Sequence, residues 1–144
     1  MSDDSPVRVL VVDDDPGIFE LMCAVADRHP LVDVVAGATS PEEALVLSRR
    51  TPPDAILLDH HFPTADLPEL EPLLGNTPMR GMTGLEAVEF LRAAAPAAVI
   101  AIYSCNQGLA GSAENSGADM YLVKGPNASA ALDEVARAAI RRRG

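Results

Sequence analysis

The sequence predicts a doubly wound, mostly parallel α/β sheet, and three observations carry that reading. Short apolar runs alternate with stretches of helical spacing five times along the 144 residues. Several runs are apolar without alternation, as suits strands covered by helices on both faces. The runs end abruptly in polar residues, and right-handed crossovers bring such ends to one edge of the sheet.

Val7–Val12 (VRVLVV) is the first strand, a mostly apolar, β-branched run. Asp13, Asp14 and Asp15 follow, then Pro16; Asp15 suits an N-cap and Pro16 a first helical position. Ile18, Leu21, Met22 and Val25 then recur at helical spacing to about Arg28. Residues 31–38 form the second strand, and Ser40-Pro41-Glu42-Glu43 reads as a capping box opening a helix to about Arg50. Thr51-Pro52-Pro53-Asp54 turns the chain into a third strand, Ala55-Ile56-Leu57-Leu58, which stops at Asp59, His60 and His61.

The pattern falters over residues 64–80 (TADLPELEPLLGNTPMR). Leu67, Leu70, Leu73 and Leu74 have helical spacing, but Pro72 interrupts it, so a helical turn or two ending at Gly75 is expected. Regularity returns at Thr83-Gly84-Leu85-Glu86, a second capping box, with Leu85, Val88 and Leu91 on one helix face. Residues 97–103 form the fourth strand, ending at Ser104 and Cys105. Residues 107–116 suit a weak helix, loosened by Gly108 and Gly111. Residues 119–123 form the fifth strand, ending at Lys124. Asn127 can cap a last helix whose core face is Leu132, Val135, Ala136, Ala139 and Ile140. Its terminal Arg141, Arg142 and Arg143 suit the negative end of the helix dipole and read as a solvated helix end.

Composition bounds the function. At 48% hydrophobic and 22% charged, residues 1–144 fit one globular domain. Aromatic residues make up 3%, so the core must be built from Ala, Val, Leu and Ile. A net charge of −10 argues against gripping a phosphate backbone directly. No apolar run approaches the roughly 18 residues of a membrane span, and MSDDSP is not a signal peptide, so a cytoplasmic protein is expected. Cys23 and Cys105 lack metal-ligand spacing and read as reduced thiols. Of eleven basic residues only Lys124 is lysine, a compact charge kept at the end of an apolar strand.

Asp13, Asp14, Asp59, Ser104 and Lys124 therefore gather at one sheet edge, where open α/β sheets bind ligands. Three ionised carboxylates cannot crowd together without a cation. Oxygen-only ligands with few carboxylates suit Mg²⁺. A metal, a lysine and a hydroxyl around one carboxylate can stabilise a transferring phosphoryl group, with that carboxylate as nucleophile. No serine or cysteine triad is visible, and no glycine-rich nucleotide loop follows the first strand.

In order and spacing, VLVVDDDP, ILLDHHFP, GMTGLEA, AIYS and GADMYLVKG resemble the receiver domain of bacterial response regulators of two-component signalling. The resemblance spans nearly the whole chain and implies a flavodoxin-like sheet of order 2-1-3-4-5. It implies that Asp59 accepts a phosphoryl group from a histidine kinase or histidine phosphotransfer protein, in a phosphorelay. Asp13, Asp14 and Asp59 would hold Mg²⁺ together with the backbone carbonyl of His61. Ser104 would contact the phosphoryl group, Lys124 would pair with it, and Tyr121 would be the aromatic whose rotamer follows it. His61 and Asn106 stand where side chains tune dephosphorylation. Such domains switch conformation to control a downstream protein partner, and can dimerise through the face of residues 107–116, the fifth strand and the last helix. The chain would then be no enzyme beyond its own phosphorylation and dephosphorylation, stand-alone or part of a longer protein, with no direct nucleic-acid or membrane role.

The chain departs from that family pattern in three places. Gly125 stands between Lys124 and Pro126, which puts the customary cis peptide after the lysine in question, and Phe62 replaces a common Met. The pattern D-x-x-M-P-x-M-x-G is stretched, because Gly84 follows Asp59 by 25 residues; residues 64–80 account for the excess. That insertion could cover the site, select a kinase, present its leucines to a partner, or be a passive surface excursion. Two rival readings remain. Asp59-His60-His61 matches the signature string of DHH metal-dependent phosphoesterases, although His29 alone does not supply their further motifs. The other rival is a pseudo-receiver that is never phosphorylated, against which the intact acids, Ser104 and Lys124 speak.

Overall fold

The computed structural model describes residues 5–60, 71–74, 83–104, 117–125 and 127–143. Strands β1 (Val7–Val12), β2 (Val32–Ala38), β3 (Ala55–Leu58), β4 (Val99–Ser104) and β5 (Met120–Val123) form one sheet in the order β2-β1-β3-β4-β5. Every neighbouring pair is parallel. Around them lie α1 (Pro16–Ala26), α2 (Pro41–Arg50), the short α3 (Glu71–Leu74), α4 (Gly84–Ala94) and α5 (Ala128–Arg143). This is the flavodoxin-like order that the family resemblance implies.

Strand alternation sorts side chains into two cores. Val7, Val9, Val11, Ala55, Leu57, Val99 and Ala101 face α1 and α5. Leu10, Val12, Ile56, Leu58, Ile100 and Ile102 face α2 and α4. Apart from Arg8 in β1 and Ser104 at the end of β4, the three central strands are thus apolar on both sides, which is why their sequence shows no polar alternation. Truncating a fully buried side chain such as Leu57 to alanine costs about 2–5 kcal/mol.

The helix starts follow the capping chemistry in the sequence. Asp15 Oδ1 accepts the Gly17 N–H at 2.9 Å with Pro16 in the first turn. Ser40 Oγ accepts the Glu43 N–H at 3.2 Å. The reciprocal carboxylate bond of a full capping box forms at Thr83 and Glu86, not at Ser40 and Glu43. Asn127 Oδ1 accepts the Ala130 N–H at 3.1 Å at the start of α5. Pro72 sits in the single turn of α3, where its missing N–H has no partner to lose. That turn packs alongside α2.

Some side-chain expectations are corrected. Leu21 is 45% exposed and Ile140 38% exposed, whereas Met22 and Leu132 are fully buried. Both exposed residues flank the buried stripe of their helix rather than lie in it. The Arg run of α5 is not a free solvated end. Arg142 Nη2 reaches Asp119 at 2.7 Å and its Nη1 the Ala98 carbonyl at 2.7 Å. Arg143 donates to the Ser5 carbonyl at 2.8 Å and pairs with Asp54 at 3.2 Å. Arg92 of α4 closes the same cluster on Asp119 at 2.6 Å. Two helices and the start of β5 are thereby fastened at the edge of the sheet away from the strand-end acids.

Candidate functional site

The acids that follow β1 and β3 are held by continuation of the sheet ladder one residue past the strands. Asp13 N–H donates to the Ala38 carbonyl and Asp59 N–H to the Val12 carbonyl, both at 2.9 Å. Lys124 N–H donates to the Ser104 carbonyl at 2.9 Å on the same edge. Asp13, Asp59 and Ser104 are all buried, at 5%, 8% and 6% exposure, which is unusual for carboxylates. Asp14 is exposed.

One carboxylate oxygen from each of Asp13, Asp14 and Asp59 lies within 4.8 Å of the others, a set that could hold a metal ion. The donors are all oxygens, and two are buried, so the chemistry fits a small hard cation. The DHH reading turns on His60 and His61 together, and His61 lies outside the described residues. Burial raises the Asp59 pKa above the ordinary aspartate value, and the neighbouring Asp13 charge raises it further. The Lys124 ammonium and the His60 N–H, which donates to Asp59 Oδ1 at 2.8 Å, oppose that rise.

Lys124 Nζ lies 2.6 Å from Asp13 Oδ2 and 3.5 Å from Asp59 Oδ2. Burial would lower its pKa, but the two carboxylates outweigh burial and raise it, so the ammonium stays charged. It also lies 5.8 Å from the centroid of the Tyr103 ring. Asp13 Oδ1 accepts the Asp15 N–H at 2.9 Å, so both Asp13 oxygens are engaged.

Gly84 completes the floor of the site. Its N–H donates to the His60 carbonyl at 2.8 Å, and a Cβ there would meet the Asp59 carbonyl oxygen. Tyr121 of β5 packs against the core on the α2 and α4 side, and its hydroxyl is buried without a hydrogen-bond partner among the described residues. The side chain is therefore turned inward. At Gly125 a Cβ would meet nothing within 4 Å. No peptide bond among the described residues is cis. His61 and Asn106, expected to complete the metal ligands and to tune dephosphorylation, lie outside the described residues, as does the expected helix at 107–116.

The structure thus brings Asp13, Asp14, Asp59, Ser104 and Lys124 to one edge, as the strand-end pattern predicts. Reading the strand ends left Gly84 out of the site as a packing element, although its place in the stretched family pattern signalled it.

No family model matches the chain. A protein-glutamate methylesterase/protein-glutamine glutaminase of Myxococcus xanthus is 35% identical over 81 residues, covering 56% of this chain and 23% of that protein. The nitrate/nitrite response regulator protein NarL of Escherichia coli is 29% identical over 126 residues, covering 86% of this chain and 50% of that protein. The chain spans half or less of the length of these two relatives. A solved two-component response regulator of the LuxR family from Aurantimonas superposes with a TM-score of 0.73 at 29% identity, covering 95% of this chain and 86% of that one. Among the described residues no helix is long and apolar enough to cross a membrane. Sheet order, strand-end chemistry and these likenesses agree: the chain is a response-regulator receiver domain.

Proposed function

We propose that Asp59 accepts a phosphoryl group from the phosphohistidine of a histidine kinase or phosphotransfer protein, and that the resulting acyl phosphate controls a protein–protein contact. The observation that carries this is a buried aspartate set between a second acid pair and a single lysine whose ammonium reaches both. An Asp59 oxygen attacks phosphorus, and the bond to the donor imidazole nitrogen breaks with its electron pair left on that nitrogen. Lys124, 3.5 Å from Asp59 Oδ2, stands where it pairs with the new phosphoryl oxygens, and Ser104 contacts another. Asp13, Asp14 and Asp59, with the His61 carbonyl, would hold Mg²⁺, which supplies charge neutralisation of the phosphoryl oxygens. His61 and Asn106 tune how fast water removes the group. Tyr121, inward here, follows the change of state on the β5 side, where a homodimer or an output protein would read it.

The insertion at 64–80 governs access or partner choice in this reading. Its size supports that, and so does its place in sequence shortly after the phosphoacceptor Asp59. The protein acts in the cytoplasm, on no substrate other than its own phosphoryl group.

Phosphate-affinity electrophoresis after incubation with acetyl phosphate and Mg²⁺ tests the assignment. A shifted band for the wild type, absent for Asp59→Asn, is expected. Equal labelling of both proteins overturns it.

A further inference from the structure

A cavity of about 220 Å³ opens between the C-terminal end of α2 and the edge strand β2. Leu10, Leu47 and Pro53 give it apolar walls, with Val35 on the open side and Arg8 and Arg50 as its charged groups. Arg8 is near the start of β1 and Pro53 precedes β3, so the cavity belongs to the sheet edge opposite Asp13 and Asp59. Val35 is the extra residue where the β1–β2 register slips, between Val34 and Ala36. That bulge leaves Val35 40% exposed on an edge strand.

Both charged residues that line the cavity are arginines; the nearest acids are Asp33 on β2, beside Arg8, and Asp54, which accepts the Arg8 main-chain N–H. Arg92, Arg137, Arg142 and Arg143 each hold a carboxylate in an otherwise strongly acidic chain. Arg8 instead donates from Nη1 to the Pro52 carbonyl at 3.2 Å, and Arg50 is exposed at the end of α2. Neither forms an ion pair among the described residues. The volume is smaller than the roughly 300–1,000 Å³ of small-molecule sites and suits a single side chain.

We propose that this cavity is the docking site for an acidic peptide segment of a partner protein. One leucine-sized side chain enters the apolar pocket, and flanking carboxylates meet Arg8 and Arg50 as charge-assisted hydrogen bonds. A chain of net charge −10 repels a phosphate polymer charged at every residue along its length, so the occupant is a short acidic peptide segment rather than nucleic acid. Because the cavity and Asp59 lie at opposite edges of the sheet, a partner held there leaves Asp59 open. The docking does not depend on phosphorylation.

Fluorescence anisotropy of a labelled decapeptide of alternating glutamate and leucine, titrated with the full chain, tests this. Saturable binding is expected, weakened at least tenfold by Arg50→Glu and unchanged by Asp59→Asn. Arg50 is exposed, so its replacement leaves the fold intact. Arg28→Glu makes the same charge change on an exposed residue after α1, on the other face of the sheet, and leaves binding unchanged. Arg50→Glu should instead bind the lysine–leucine counterpart. Absence of saturable binding to the wild type overturns the site, as does equal weakening by Arg28→Glu. Equal binding of a peptide with alanine for leucine, or loss of binding in Asp59→Asn, also overturns it.

Discussion

Gly84 packs so closely on Asp59 that a Cβ at Gly84 would collide with the Asp59 carbonyl oxygen. The two residues are 25 apart in sequence, yet the start of α4 rests on the main chain of the proposed phosphoacceptor. The chain thus leaves β3, runs through its long connection and returns to a fixed point. Glycine is needed there for space.

Gly84→Ala should therefore displace backbone on both sides of the contact. Overpacking of this kind costs about 1–3 kcal/mol, a drop of several degrees in melting temperature. Labelling by acetyl phosphate should slow as well, because the Asp59 main chain moves. Thermal melts and labelling time courses of the two proteins check both effects; unchanged values would mean that the loop absorbs the methyl.

Lys124 gives the second prediction. Its ammonium lies between Asp13 and Asp59, and all three side chains are largely buried. Lys124→Met leaves two close carboxylates without their cation, which should destabilise the fold by about 3–5 kcal/mol at neutral pH. The Asp59 pKa is already raised, so its ionised form costs the folded state stability as pH rises through that pKa. Without Lys124 the effect grows, and the loss should shrink as pH falls through the Asp59 pKa. Added Mg²⁺ should restore part of it at neutral pH. Urea melts at several pH values, with and without Mg²⁺, check the sign of each change.

The strands and the strand-end residues were legible because their signals are local. An unbroken apolar run that stops at an acid or a lysine marks both the strand and its functional end, as at Leu58-Asp59 and Val123-Lys124. What stayed hidden depends on distant partners. Arg142 and Arg143 look like a solvated helix end, but Arg142 contacts Asp119 and Arg143 contacts Ser5, 138 positions away. No short pattern carries that information. Leu21 and Ile140 share the helical spacing of their buried neighbours, but spacing does not say where the buried stripe ends. The choice of Lys124 for Asp13 over Asp59 is set by less than 1 Å, beyond any sequence reading.

Asp119 carries the third prediction. Burial pushes its carboxyl up, but hydrogen bonds from Arg142, Arg92 and the Ile100 N–H outweigh burial and hold its pKa below the ordinary value. A lowered folded-state pKa means stability that is present above the unfolded value near about 3.9 and lost as pH falls through the folded one. Asp119→Asn should cost about 1.5–3 kcal/mol at neutral pH, from weakened bonds to charged partners. The variant should also lose less stability than the wild type on acidification below about pH 4. Parallel acid titrations of the two proteins, followed by circular dichroism, check this.

The long connection between β3 and α4 carries the last prediction. Removing residues 64–80 returns Gly84 to eight positions after Asp59, the spacing of the family pattern. The anchor points do not depend on the excised stretch: Gly84 N–H on the His60 carbonyl, the Thr83 cap, and Val88 and Leu91 in the core. Lengthening a loop costs little entropy, about 0.6 kcal/mol per doubling, so shortening it should leave the melting temperature nearly unchanged. The packing of α3 on α2 is lost, because Glu71–Leu74 lies within the excised stretch. The rate of phosphoryl uptake or loss at Asp59, or the binding of a partner, should change instead. Melts report the first outcome and labelling and decay time courses the second. A variant that melts, labels, decays and binds like the wild type would make the insertion a passive excursion.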